Sequence, residues 1–168
     1  FDLYEQWSDS INILWHAGAI QPIETERLKY WNEVGSLAKT GKVAADAKYG
    51  AGDNPNKILF VQEDGTLSSK ASKKISFMPY VHNVDSFGYN TQVIEQGIPY
   101  QTESWAWLLD EKHKGKVALV NAPTIGIFDA ALAAQGQGLM TFNDMGDMSI
   151  AEIDQLFAIL LEKKRQGH

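Results

Sequence analysis

The stretch 86–132, SFGYNTQVIEQGIPYQTESWAWLLDEKHKGKVALVNAPTIGIFDAAL, decides the fold. It reads as a strand over 86–89 and a short helix near 91–95, with Gly97-Ile98-Pro99 as a break. Ser104 then caps a helix through about Asp110, because its hydroxyl can accept an orphan backbone N–H of the first turn. Lys114-Gly115-Lys116 turns the corner into an apolar strand over 116–120. Asn121-Ala122-Pro123-Thr124 leads into a helix from about 124 to 134, closed by Gln135-Gly136-Gln137-Gly138. Strands that alternate with helices indicate an α/β layered fold.

Downstream, Ser149 and Glu152 form a capping box for a helix over 150–165. Ile150, Ile153, Leu156, Phe157, Leu160 and Leu161 supply its expected core stripe, and Lys163, Lys164 and Arg165 complement the dipole of its last turn. Upstream, Tyr4, Trp7, Ile11, Leu14 and Trp15 recur at helical spacing and predict a helix over 3–17 stopped by Gly18. Thr25 is the expected cap of a second helix through about Lys39. Residues 40–57 hold Gly41, Gly50, Gly52, Asp53, Asn54, Pro55 and Asn56 and read as loop. Ile58–Val61 is a strand, Asp64-Gly65 a hairpin turn, 68–74 an exposed polar segment, and Ile75–Tyr80 a strand that Pro79 confines to an edge or an end.

The totals narrow the function. A chain of 168 residues with 44% hydrophobic residues has enough apolar surface for a core. A formal net charge of −6 argues against nucleic acid, which requires a basic face. The absence of cysteine excludes disulfides, thiolate metal sites and cysteine nucleophiles. No apolar run is long enough for a transmembrane helix.

Catalytic motifs are missing. There is no GxSxG elbow, no phosphate-binding loop and no HExxH pair. Gly50-Ala51-Gly52 and Gly136-Gln137-Gly138 lack dinucleotide-loop spacing, and Gly136 follows a helix rather than a strand. None of the 4 histidines pairs with another at helical spacing. His82, Asp85 and Ser86 are the only grouping that suggests a hydrolase, without a visible oxyanion hole; the ordinary reading is a loop histidine beside a turn aspartate. No metal set is apparent, since zinc requires three or four ligands. The 5 tryptophans include Trp15, Trp31 and Trp105, which fit helix core stripes.

Three segments inside 86–132 carry a resemblance. Phe87-Gly88-Tyr89-Asn90, Ser104-Trp105 with Leu108-Leu109, and Lys114-Gly115-Lys116-Val117-Ala118-Leu119 follow one another in an order similar to that of the solute-binding proteins of ABC importers, in particular the polyamine-binding-like branch. The resemblance covers 77–132 well and 1–38 loosely, and leaves 40–74 unmatched. It implies a type II periplasmic-binding-protein-like α/β architecture of two lobes, incomplete in this chain. Residues 1–113 would form part of lobe one and 114–168 the start of lobe two. It further implies capture of a small polar organic solute by hinge closure, a membrane permease as partner, a periplasmic location, and neither enzymatic activity nor a cofactor. Members of that family are longer, so the chain is expected to be an internal piece of such a protein, its signal peptide lost with the preceding part.

The resemblance also nominates ligand contacts. Trp7 falls near a position that faces the cleft in that family. Asp85 and Ser86 fill the place before the GYN segment where a Ser or Thr commonly binds solute. Asn121 and Thr124 stand between a strand and a helix N-terminus, where free N–H groups and the dipole favour an anion. Polyamine binders carry carboxylates there, whereas this chain has none until Asp129. That departure favours an amino-acid-like or carboxylate-bearing solute over a polyamine, because a buried ammonium would lack its charge partner. Two other readings stand beside this one: a small α/β hydrolase-like enzyme using His82, Asp85 and Ser86, and a protein-interaction module using an exposed strand edge.

Overall fold

Thr25 was the expected start of a long helix, and its surroundings explain why none forms. Its N–H and its hydroxyl both donate to the Lys73 carbonyl, at 2.9 and 3.1 Å, which ties it to a sheet. The computed structural model describes residues 3–48, 54–82, 84–99 and 101–168. Gly50, Ala51, Gly52 and Asp53, which belong to the expected loop, lie outside the described residues. The chain divides into two compact units, Phe1–Asn83 and Val84–His168.

The first unit is built on a small antiparallel sheet. Its strands are β1 (Ile23–Glu24), β2 (Phe60–Val61), β3 (Leu67–Ser68) and β4 (Lys74–Ile75), in the order β1-β4-β2-β3. Register pairs Ile23 with Ile75, Phe60 with both Ile75 and Ser68, and Val61 with Leu67. The expected Asp64-Gly65 turn joins β2 to β3. Gly65 has φ +82°, a conformation that favours glycine, and the Asp64 carboxylate accepts from both the N–H and the hydroxyl of Thr66. β4 is an inner strand that stops at Ile75, so Pro79 falls beyond it. Leu59, Phe60 and Ile75 form the core, with Ile23, Leu28, Trp31 and Phe77 packed around them.

Helices in this unit are short. The expected helix over 3–17 is reduced to α1 (Ile11–His16), preceded by a 3-10 turn at Ser8–Ser10. Ile11 is buried, while Tyr4 and Trp7 are exposed. Their share of the stripe is left largely uncovered by the described residues, and packing supplies most of the stability of a short helix. Gly18, at φ +65°, ends α1 as expected. The second expected helix breaks into turns at Thr25–Arg27 and Trp31–Glu33 and a short α2 (Ser36–Thr40).

The second unit is organised by α3 (Pro123–Gly136) and α4 (Ile150–Arg165). The small residues Ala130, Ala131, Ala133 and Ala134 of α3 are almost fully buried, with Leu109, Met140, Met145 and Leu156. Small side chains let the backbone of the 3-10 helix Trp105–Leu109 approach closely. Gln137 Nε2 donates to the Ala106 carbonyl at 2.8 Å, and a Cβ on Gly136 would stand 3.0 Å from Ala106 N. The Ser149–Glu152 capping box is present at the start of α4. Only part of the expected α4 stripe is covered: Leu156 is buried, whereas Ile150, Phe157 and Leu161 are at least half exposed.

The expected strands at 86–89 and 116–120 are irregular, and the expected helix near 91–95 is a single turn in which Ile94 N–H donates to the Asn90 carbonyl. Among the described residues no neighbouring strand pairs with either segment, and a strand without a ladder partner is not a strand. Lys114-Gly115, the expected crossing between lobes, lies inside the second unit in a turn where Gly115 has φ +70°.

Candidate functional site

Pro123 opens α3 at a position where its missing N–H costs nothing, since the first-turn donors have no helical acceptor. The N-cap is Ala122, whose side chain cannot cap. Its carbonyl accepts from Ile125 N and Gly126 N, at 3.0 and 2.7 Å. The Thr124 N–H has no acceptor among the described residues. Thr124 and Asn121 are both exposed beside it. The sequence therefore leaves the start of this helix uncapped and open.

Two close approaches bring the preceding segment against α3. Gly126 leaves no room for a Cβ against the Val120 carbonyl oxygen. One turn further on, the Val120 N–H lies near enough to the Asp129 carboxylate to lower its pKa. Val120 thus lies close against α3, and Asn121 follows directly. Asp129 is 8% exposed. Burial pushes its carboxyl up from the ordinary range, the Val120 N–H opposes that shift, and the negative charge of Asp85 adds to it.

That last effect links the second candidate segment to the first: Asp85 lies within electrostatic reach of α3. Asp85 and Ser86 are exposed, and the chain immediately after them is anchored. Phe87 packs on Trp105 and Trp107, with ring centroids 5.3 and 6.0 Å apart, and Tyr89 meets Trp107 at 5.1 Å. The Tyr89 hydroxyl donates to the Glu103 carboxylate and accepts from Gly97 N at 3.0 Å. The bond to Glu103 holds the phenolic proton and raises the Tyr89 pKa. A Cβ on Gly97 would meet the Glu103 side chain at 2.5 Å and the Trp107 ring at 2.8 Å, so this lock admits only glycine there.

Of the sequence-derived candidates, Asn121 and Thr124 stand at the start of α3, and the charge of Asp85 is felt at Asp129 in that helix. Ser86 follows Asp85 and is likewise exposed. Trp7 belongs to the first unit, on extended backbone before the Ser8–Ser10 turn. It is 66% exposed and borders an open groove formed only with its neighbours Glu5, Gln6, Asp9 and Ser10. His82 also falls in the first unit, whereas Asp85 and Ser86 fall in the second. No metal-binding group of three or more His, Asp or Glu side chains exists among the described residues.

Two participants were not assigned a role from the sequence. Gly126 is a packing residue, and nothing in its local pattern distinguishes it from a tolerated helix glycine. Asp129 carries a signal that was available: it is the one charged residue between Pro123 and Gly136. A lone carboxylate among buried alanines is desolvated, which is what raises its pKa.

No protein-family model matches the sequence, and neither a curated protein nor a solved structure is significantly similar to it.

Proposed function

We propose that this chain captures a small polar organic solute, as the substrate-binding component of an ABC importer. The observation that carries the reading is the uncapped start of α3 with Asn121 and Thr124 exposed at it, in a helix whose Asp129 feels the charge of Asp85. Open donors of the helix start and the Asn and Thr side chains suit a solute carboxylate. Asp85 suits an amine or hydroxyl on the same molecule. An amino-acid-like or carboxylate-bearing solute uses both, and a polyamine uses only the second. The order of the Phe87–Asn90, Ser104–Leu109 and Lys114–Leu119 segments supports the same reading. On it, the chain contributes to a two-lobe, type II α/β protein of the periplasm that delivers its solute to a membrane permease. Asp85 and Ser86 then bind rather than catalyse.

Thermal unfolding against a panel of amino acids, hydroxy acids and diamines tests this. A solute at 100 times its Kd stabilises the folded chain by about 2.7 kcal/mol, which raises Tm by several degrees in a chain of this size. The expected result is such a rise with a carboxylate-bearing solute, abolished in Thr124→Val and Asp85→Asn. A flat response across the panel, or one unchanged in both variants, refutes the site.

A further inference from the structure

α4 carries two stripes, and only one of them is covered. The inner stripe is Leu156, Ile159 and Leu160, which pack in the core of the second unit, with Lys163 bonded to Glu111 at 2.9 Å. The outer stripe is Ile150, Asp154, Phe157, Leu161 and Lys164, about a third of a turn further round the helix. All five are exposed, Ile150 to 75%, Phe157 to 50% and Leu161 to 51%. A surface helix ordinarily turns charged and polar side chains to water, whereas three large apolar ones stand here.

The outer stripe advances by four, three, four and three residues. That is the step of a coiled-coil seam, along which a second helix lies. The seam is also sorted by charge, with Asp154 toward its start and Lys164 at its end. The other charges at the two ends of α4 are already engaged: Glu152 in the capping box and with Asn143 N, Lys163 with Glu111, and Arg165 with Glu162 at 3.5 Å. Asp154 and Lys164 have no ion pair among the described residues.

This polarity fits the same helix running in the opposite direction. About a two-fold axis level with Ile159, Phe157 of one protomer faces Leu161 of its partner, and Asp154 faces Lys164. The symmetry makes each contact twice. A parallel pair would set Asp154 against Asp154 and Lys164 against Lys164, and like charges repel.

We infer that α4 is a self-association surface, pairing antiparallel with α4 of a second copy of this chain in a two-fold dimer. Phe157 and Leu161 form its apolar centre, and two Asp154–Lys164 pairs flank that centre and fix the direction. Two helices of 16 residues meet over only about 24 Å, so the dimer is a small, reversible one that forms with rising concentration.

The test is sedimentation velocity of the 168-residue chain from micromolar to submillimolar concentration. The expected result is a reversible shift from monomer to dimer with no larger species. Asp154→Lys alone, or Lys164→Asp alone, sets like charges opposite each other in both pairs and weakens dimerisation by about tenfold. An equimolar mixture of those two variants restores opposite charges at both positions and regains the affinity of the parent chain. Damage to the helix itself would not be rescued by mixing, and far-UV circular dichroism reports whether each variant keeps its helices. Phe157→Asp, at a half-exposed position, abolishes the dimer. The inference is overturned if the chain stays monomeric throughout, if it grows past the dimer, if Phe157→Asp dimerises as the parent does, or if the mixture associates no better than either variant. Each outcome is read without any solute, so it stands or falls separately from capture at α3.

Discussion

Gly126 in the first turn of α3 and Val120 in the preceding segment are in backbone contact, with no space for a Cβ between Gly126 and the Val120 carbonyl. The Val120 N–H also lies near the Asp129 carboxylate, whose pKa it lowers. The close approach at Gly126 sets where Asn121 stands relative to the helix start.

Gly126→Ala should therefore destabilise the chain although alanine favours helix by about 1 kcal/mol. The obstacle is backbone rather than a flexible side chain, so the expected cost is about 1–3 kcal/mol. Gly88→Ala is the control, since a Cβ there meets nothing within 4 Å. Urea unfolding of the two variants should separate them clearly. An unchanged midpoint for Gly126→Ala would show that the segment before α3 moves freely.

Asp129 should make stability fall as pH rises. Its folded pKa lies above the ordinary 3.8, so between those two values the folded state holds more protons than the unfolded one. The penalty is absent below the unfolded pKa and complete above the folded one. Asp129→Asn keeps the shape of the side chain and removes the charge, so it should be more stable than the parent at pH 7 and equal to it in acid. Paired denaturation curves across pH 3–8 give the comparison.

Glu111 should act in the opposite direction. Hydrogen bonds from Lys163 at 2.9 Å and His168 at 3.1 Å, with Lys114 nearby, hold its pKa down from 4.5 to about 2. Its contribution is present above pH 4.5 and is lost as pH falls through 2. Glu111→Gln should lower Tm at neutral pH, and the gap should close on acidification. Glu111 is largely exposed, so added salt should narrow the gap as well. A gap that persists in acid would mean that Glu111 acts through packing instead.

Ser149→Ala should destabilise by about 1 kcal/mol, since the Ser149 hydroxyl accepts from Glu152 N and the Glu152 carboxylate accepts in return from Ser149 N at 2.8 Å. Glu152 also accepts from Asn143 N at 3.0 Å, tying the 143 loop to α4. Glu152→Ala should thus lose more than Ser149→Ala, with the excess visible as faster amide exchange at Asn143. Equal losses would show that the Asn143 bond contributes nothing.

Features whose cause is local were legible in the sequence. The α4 capping box, the Asp64-Gly65 turn, the stop at Gly18 and the extent of α3 each follow from a few adjacent residues. The Ser104 cap is also as read, although the helix it starts is 3-10. Features that depend on what lies across from a segment were not legible. Residues 86–89 and 116–120 have strand-like composition, yet a strand exists only through its neighbour's hydrogen bonds, and no such neighbour is present among the described residues. Thr25 has the chemistry of a cap, but the Lys73 carbonyl, far along the chain, captured both of its donors. The sequence by itself thus determined the helix ends, the turns and the polar character of Asp85, Asn121 and Thr124. The tertiary structure alone decided that the charge of Asp85 is felt at α3, that Asp129 is buried, and that Thr25 joins a sheet instead of opening a helix. Local signals act through bonds within one turn of chain, whereas burial and sheet pairing are set by contacts between residues that the sequence keeps apart.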